Sequence, residues 1–104
     1  MIEKRSHQRA PIDSPLTFYA KGKSENLDGV AKDISVGGMF VETSTPASFG
    51  AEVVINVLLP GSDEVMALPG RVRWVRAGGM GVQFGLLGAV ETHVITEIER
   101  QHLR

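Results

Sequence analysis

Two arginines near the start of the chain, Arg5 and Arg9, are spaced so that both could contact one small anionic ligand. Each guanidinium carries a planar fork of N–H donors that matches a phosphate group or the O6 and N7 edge of guanine. Lys4 adds a third positive charge to the same segment. Taken alone, such a pair is more often part of a solvated basic terminus, so a binding site needs a second motif to support it.

The second motif is Asp33-x-Ser35-x-x-Gly38, at the end of a predicted strand that runs into a tight turn. Because side chains alternate along a strand, Asp33 and Ser35 share one face and Ile34 points to the core. A neighbouring carboxylate and hydroxyl can accept from guanine N–H groups and bond to phosphate or ribose. Gly38 would adopt a positive φ or let a ligand approach the backbone closely. The alternative is that Asp33 and Ser35 only hydrogen-bond the turn, as these residue types do in many hairpins.

The sequence offers no catalytic or metal site of comparable strength. Ser35, Asp33 and His7 are the residue types of a hydrolase triad, but no nucleophile elbow surrounds the serine. The histidines, His7, His93 and His102, lack the spacing of metal ligands, and the chain has no cysteine. We therefore predict that the protein is not an enzyme and binds no metal.

The composition is that of one small globular domain. The chain has 104 residues, with 11 Lys and Arg against 12 Asp and Glu, and a formal net charge of -1. This balance argues against DNA and RNA as partners, since domains that bind them usually carry a basic excess. The lack of cysteine and of a signal peptide predicts a cytoplasmic location. The longest apolar run, 53–59, is too short for membrane insertion.

Short runs rich in β-branched and aromatic residues predict six strands, at 16–20, 27–35, 39–43, 51–59, 65–76 and 80–84. In the second strand, strict alternation places Val30, Lys32 and Ile34 on one face. In the fifth strand, Pro69 and Gly70 predict a bulge or bend. These elements would position the second motif at the junction of the second and third strands.

The last part of the chain changes to a helical period. Val90, Val94 and Ile98 recur on one face with Ile95 beside them, which predicts an amphipathic helix. Short strands followed by one helix predict an all-β antiparallel barrel or sandwich, capped by that terminal helix. The predicted boundaries within a single domain, 1–104, are a flexible arginine-bearing arm at 1–12, a β-barrel at 14–86 and the helix at 88–102.

In their order and separation, the two motifs resemble the signatures of the PilZ domain, a bacterial receptor module for cyclic di-GMP. That family carries an RxxxR element just before its barrel and a (D/N)xSxxG element on its second and third strands. The corresponding segments here are RSHQR at 5–9 and DISVGG at 33–38. Further similarity at GRVRWV, 70–75, and GVQF, 81–84, extends the resemblance over nearly the whole chain. The resemblance implies a small antiparallel β-barrel of about six strands with a C-terminal α-helix.

The resemblance also implies that cyclic di-GMP is the ligand and that no cofactor is required. The residues that match the family's ligand-binding positions are Arg5, Arg9, Asp33, Ser35 and Gly38. A second group of candidates consists of Lys4, Gly37, Arg73 and Trp74.

Trp74 has two interpretations, because a tryptophan on a barrel strand is more often part of the core than of a ligand site. Alternation also places Arg73 and Trp74 on opposite faces of their strand. Both can therefore contact the ligand only if a bulge intervenes between them.

We expect the arm, 1–11, to be mobile in the free protein and to become ordered when the ligand neutralises its arginines. An unidentified partner protein would then recognise the altered surface, and the domain itself is predicted to be a monomer or a weak homodimer. One alternative is a PilZ-type interaction module that does not bind the nucleotide. Another is an OB-like barrel for single-stranded nucleic acid, but that function needs exposed aromatic residues and the chain is only 6% aromatic.

Overall fold

Six strands and one helix make up the part of the chain that the structure, a computed structural model, describes, residues 9–103. The elements are β1 (Ala10–Ala20), β2 (Leu27–Ser35), β3 (Gly38–Glu42), β4 (Glu52–Val57), β5 (Met66–Arg76), β6 (Gly79–Phe84) and α1 (Ala89–His102). The strands pair antiparallel in a closed barrel, in the spatial order β1-β2-β3-β6-β5-β4, and β4 pairs back onto β1. The predicted six-stranded barrel with a terminal helix is confirmed, and the sandwich is excluded.

The barrel interior is filled by alternate apolar residues of each strand. In β4, Val53, Ile55 and Val57 are buried, while the residues between them are more exposed. Ile55 lies opposite Phe18 of β1, so the seam that closes the barrel is fully apolar on its inner side. The other strands contribute large buried side chains that complete this core, among them Ile34, Met39, Leu68, Val72 and Met80.

A bulge in β2 changes the predicted alternation. Ala31 pairs with Val41 of β3 and Asp33 pairs with Phe40, so the pairing skips Lys32. Ala31 and Ile34 are consequently both buried and Lys32 is exposed, so the prediction that Lys32 and Ile34 share a face is wrong. The bulge leaves the Asp33 side chain on the outer surface of the barrel.

A second bulge lies in β5, further along the strand than the sequence predicts. Val72 pairs with Val82 of β6 and Trp74 pairs with Gly81, so the pairing skips Arg73. The prediction of a bulge at Pro69 and Gly70 is wrong, because both residues keep regular register with β4. Gly70 instead permits a close approach of β6, since a Cβ there would collide with the Val82 side chain.

The barrel begins earlier than predicted. Ala10 pairs with Ile34 and Pro11 pairs with Asp33, so residues 10–12, predicted as part of the mobile arm, belong to β1. A register shift between Pro11 and Ser14 accommodates the irregular start of this strand. Arg5 and Lys4 lie outside the described residues, as does the rest of the predicted arm up to position 8.

The helix α1 packs against β1 and β2. Ile95 is fully buried, and Val94 and Ile98 pack against the core, as the pattern predicts. Val90, however, is 66% exposed. At 3.6 residues per turn it lies about 140° around the helix from Ile95, and so faces away from the barrel. Within residues 9–103, no helix is long and apolar enough to cross a membrane.

Candidate ligand-binding site

A groove of about 600 Å³ lies on the outer surface of the barrel. It brings together six of the residues that the sequence nominates, from the segment before β1, from β2 and its turn, and from β5. The lining residues are Arg9, Asp33, Ser35, Gly37, Phe40, Arg73, Trp74, Arg76, Gly81, Val82 and Gln83. The volume is within the range of about 300–1,000 Å³ that is usual for small-molecule sites.

The two sequence motifs meet in an ion pair on one side of this groove. Arg9 Nη1 donates to Asp33 Oδ1 over 2.7 Å, and the two side chains are 30% and 31% exposed. The same carboxylate oxygen accepts a hydrogen bond from the backbone N–H of Phe40, with an N···O distance of 3.0 Å. The pairing of β1 with β2 places Arg9 beside Asp33, so the fold itself brings the motifs into contact.

The turn after β2 is held by the second motif. The Ser35 hydroxyl is buried and accepts a hydrogen bond from the Gly37 N–H over 3.1 Å. The Gly37 carbonyl accepts from the Phe84 N–H of β6 over 2.9 Å. Asp33 and Ser35 therefore do form the structural hydrogen bonds of the hairpin interpretation, and they also line the groove. The two interpretations of this motif are compatible.

Gly38 has a role that the sequence analysis did not anticipate. It is absent from the groove lining, and its φ is not among the positive values found in residues 9–103. A Cβ at this position would collide with the carbonyl oxygen of Val82 on β6. Gly38 is thus required for the close pairing of β3 with β6, and its backbone does not form a left-handed turn.

Beside the ion pair, the groove carries an aromatic platform, formed by Phe40 of β3 and Trp74 of β5. Their rings are stacked, with centroids 5.4 Å apart and an interplanar angle of 9°. Both residues pair with Gly81 of the intervening strand β6, and a Cβ at Gly81 would collide with the Trp74 ring. Gly79 likewise leaves room for the Phe40 ring. The two glycines allow the platform to lie flat across β6.

Trp74 is 40% exposed, so its interpretation as a core residue is wrong. Regular alternation would place Arg73 and Trp74 on opposite faces of β5. The bulge at Arg73 interrupts this alternation, and both residues line the same groove. The sequence around Trp74 does not indicate that its ring is exposed, because the space for the ring depends on Gly81 of the neighbouring strand β6.

Arg76 completes the platform. Its guanidinium carbon lies 4.8 Å from the centroid of the Phe40 ring and 5.1 Å from that of Trp74, which is a cation–π arrangement with both rings. With Arg9 and Arg73, it gives the groove three positive charges against the single carboxylate of Asp33. The groove therefore favours an anionic ligand with planar aromatic parts.

Sequence reasoning missed the other five lining residues, which are Phe40, Arg76, Gly81, Val82 and Gln83. Phe40 carries a usable signal, because Met39 and Val41 on either side of it are core residues and alternation turns it outward. Arg76 stands out only as one of several arginines on β5. Within residues 9–103, no group of three or more His, Asp or Glu side chains is placed to hold a metal ion.

Comparison with known proteins agrees with this arrangement of motifs. A family model described as PilZ domain matches residues 3–104. The chain belongs to the PilZ domain family. A comparison with curated proteins gives no match.

Solved PilZ structures share the fold. The PilZ domain of CeSA from a cellulose-synthesizing bacterium is 24% identical with a TM-score of 0.72, and the match covers 93% of this chain and 99% of that one. The PilZ domain of Escherichia coli YcgR with c-di-GMP is 14% identical with a TM-score of 0.78, covering 98% and 93%. The K. pneumonia MrkH–c-di-GMP complex is 18% identical with a TM-score of 0.73, covering 98% and 52%, so this chain spans about half of MrkH. At these identities the likeness is one of fold.

Proposed function

We propose that this PilZ domain is a non-enzymatic receptor for cyclic di-GMP, which binds in the groove between the Arg9–Asp33 pair and the aromatic platform. The observation that carries the proposal is the ion pair itself, 2.7 Å long, which joins the two family motifs at one side of the groove. Two similar structures, the YcgR PilZ domain and MrkH, are complexes with this nucleotide. The groove's excess of arginine suits a ligand with two phosphates and two guanines.

Each side of the groove offers a different kind of contact. Arg9 and Arg73 present N–H donors for a phosphate or for the O6 and N7 edge of guanine. A carboxylate has about four acceptor sites, so Asp33 can accept from a guanine N–H while it keeps its bonds to Arg9 and Phe40. The exposed part of Trp74 offers a surface on which a purine can stack, with Arg76 beside it.

The N-terminal arm supplies the remaining part of the proposed mechanism. Arg9, the residue before β1, is held against Asp33 by their hydrogen bond. Arg5, and Lys4 next to it, would close over the bound ligand. The covered groove would present a new surface to a partner protein, and this would transmit the signal.

Calorimetric titration of the full chain with cyclic di-GMP tests the proposal. We expect micromolar or tighter binding, weakened strongly by Arg9→Ala and Asp33→Ala. Arg100→Ala is the matched control, since Arg100 is an exposed arginine on α1 whose only ion pair in residues 9–103 is with Glu97. Cyclic di-AMP is the matched ligand control, because adenine lacks the O6 acceptor of guanine.

Two results would contradict the proposal. Absence of heat with the wild-type chain at high protein concentration would leave the family's other function, protein interaction without nucleotide binding. Equal affinity for cyclic di-AMP would show that the guanine edge is not recognised.

A further inference from the structure

The helix α1 contacts the turn beside the groove through one polar side chain. Glu99 accepts a hydrogen bond from the backbone N–H of Val36, with 3.1 Å between Glu99 Oε2 and Val36 N. At 3.6 residues per turn, Glu99 lies about 40° around the helix from Ile95. Because Ile95 is the fully buried residue of α1, Glu99 faces the barrel, and it is itself half-buried.

Val36 belongs to the turn between β2 and β3 that forms part of the groove wall. Its neighbours Ser35 and Gly37 both line the groove and are joined by the bond from the Gly37 N–H to the Ser35 hydroxyl. The Gly37 carbonyl is held by the Phe84 N–H. The Val36 N–H, bound by Glu99, is a third point at which this turn is fixed, and the only one that comes from the helix within residues 9–103.

We propose that Glu99 is a positioning residue for the ligand site. It fixes the 35–37 wall of the groove through the Val36 N–H and thereby couples α1 to the site. A hydrogen bond to a charged acceptor is stronger than a neutral one, and its loss would leave a partly buried N–H without its partner. The effect on ligand affinity rests on the proposed function, whereas the positioning of the turn does not.

The nearby acidic residue of the helix serves as a comparison. Glu97 lies two positions earlier and forms an ion pair with Arg100, with an N···O distance of 3.6 Å. It also lines a separate depression with His93 and Ile98, on the side of the helix that faces β1. Glu97→Ala therefore removes the same charge from α1 and leaves the Val36 contact in place.

Coupling of this kind is reciprocal. If Glu99 holds the wall in the orientation that binds the ligand, then the bound ligand must in turn stabilise the contact between α1 and the turn. Saturating ligand should therefore slow hydrogen exchange in the second half of α1, in the wild-type chain but not in a variant without the contact.

The first experiment needs no ligand. Hydrogen exchange and proton shift of the Val36 amide are measured by NMR in the wild-type chain and in four variants. We expect about tenfold faster exchange in Glu99→Ala and in Glu99→Asp, which keeps the charge but shortens the side chain. Glu99→Gln keeps the length and a carbonyl acceptor but loses the charge, so its Val36 amide should exchange about twofold faster than wild type. The Val36 amide of Glu97→Ala should be unchanged.

The second experiment titrates the same variants with cyclic di-GMP. We expect Glu99→Ala and Glu99→Asp to bind about tenfold more weakly, with Glu99→Gln and Glu97→Ala within about twofold of wild type. Thermal unfolding of each variant separates a changed groove from a generally less stable fold. If Glu99→Ala does not fold, the comparison of Glu99→Asp with Glu99→Gln decides the question.

Unchanged exchange of the Val36 amide in Glu99→Asp and Glu99→Ala would overturn the positioning role. Equal losses of affinity in Glu99→Ala and Glu97→Ala would overturn it too, because they would make the charge of the helix the cause. If the wild-type chain binds no cyclic di-GMP, the proposed function fails and the role of Glu99 is decided by the Val36 amide alone.

Discussion

The two sides of the groove are built in different ways. On the motif side, Arg9, Asp33 and the Phe40 N–H form a closed set of short polar contacts. On the platform side, Phe40, Trp74 and Arg76 lie against one another over two glycines of β6, and the contacts are those of stacked rings and a cation. Polar contacts give direction and selectivity, whereas a platform gives area and tolerates small shifts. We therefore expect the motif side to decide which ligand binds and the platform to decide how tightly.

The largest expected effect comes from substitutions that remove the ion pair on the motif side. Arg9→Ala or Asp33→Ala should weaken cyclic di-GMP binding about a hundredfold, or about 2.7 kcal/mol, because each removes a proposed charged contact with the ligand and the ion-pair partner that orients the other residue. Calorimetry of the single variants and of the double variant measures the coupling between the two residues. Strictly additive losses would contradict the view that the pair acts as a unit.

The next effect comes from substitution of Gly81, which leaves room for the Trp74 ring of the platform. Gly81→Ala should lower the free energy of unfolding by about 1–3 kcal/mol, since its Cβ would collide with the Trp74 ring. Urea unfolding measures this, and the double variant Gly81→Ala with Trp74→Ala should recover most of the loss. Gly85→Ala is the matched control, because a Cβ there meets only Pro69 at ordinary contact distance, 3.9 Å. A similar loss at both glycines would mean that backbone freedom, and not the ring, is the cause.

A smaller effect follows from replacing the ring itself. Trp74→Ala should weaken binding about tenfold and Trp74→Phe about threefold, in line with the 1–3 kcal/mol that stacking of a base on an aromatic ring contributes. Because the chain has a single tryptophan, its fluorescence reports occupancy of the platform directly in the wild-type protein. Quenching by cyclic di-GMP in step with the calorimetric heat is the expected result. An unchanged spectrum at saturation would place the ligand elsewhere.

Substitutions at Arg76 separate the effect of its charge on ligand affinity from the effect of its planar shape. Arg76→Lys keeps the charge but loses the planar fork, so we expect about threefold weaker binding, and more in Arg76→Ala. Affinities measured at two salt concentrations separate the contributions, because loss of charge reduces the salt dependence and loss of stacking does not. If Arg76→Ala bound the ligand with wild-type affinity, Arg76 would not contribute to ligand binding.

The smallest expected effect lies away from the groove and serves as a reference for the others. The hydrogen bond from Lys32 to Asp13, 2.9 Å long, together with the carboxylate's charge, raises the pKa of Lys32 above its ordinary value. Stability from this pair is fully present below the unfolded-state pKa and is lost as the pH rises through the raised folded-state value. Unfolding measured from pH 9 to 11.5 should show a slightly steeper loss for wild type than for Asp13→Asn. Ligand affinity at neutral pH should be the same in both.

The fold could be read from the sequence to a large extent, because it depends on local patterns. The six apolar runs and the change to a helical period after Gly88 are visible without knowledge of which strands pair. The bulges at Lys32 and Arg73 are not, because each exists only relative to the partner strand. For the same reason the sequence misplaces the bulge of β5 at Pro69 and Gly70.

The site was predictable on its motif side and not on its platform side. Arg9, Asp33 and Ser35 stand at fixed spacings that resemble a known family, and the structure brings them together. The sequence favours a core position for Trp74, and only the structure shows that its ring lies over Gly81 of β6. The sequence likewise favours a turn role for Gly38, and only the structure shows that the residue is packed against Val82. In both cases the deciding neighbour is more than six residues away in the chain, where no local pattern reports it.

Closure of the barrel limits how a partner can recognise this domain. Each of the six strands has a neighbour on both sides, so within residues 9–103 no strand edge is open for an added strand from another chain. A partner therefore cannot bind this part of the chain by adding a strand, a mode of recognition that depends on backbone hydrogen bonds at a sheet edge. A partner of the described part must distinguish side-chain surfaces, and those beside the groove are the ones whose composition a bound nucleotide would change.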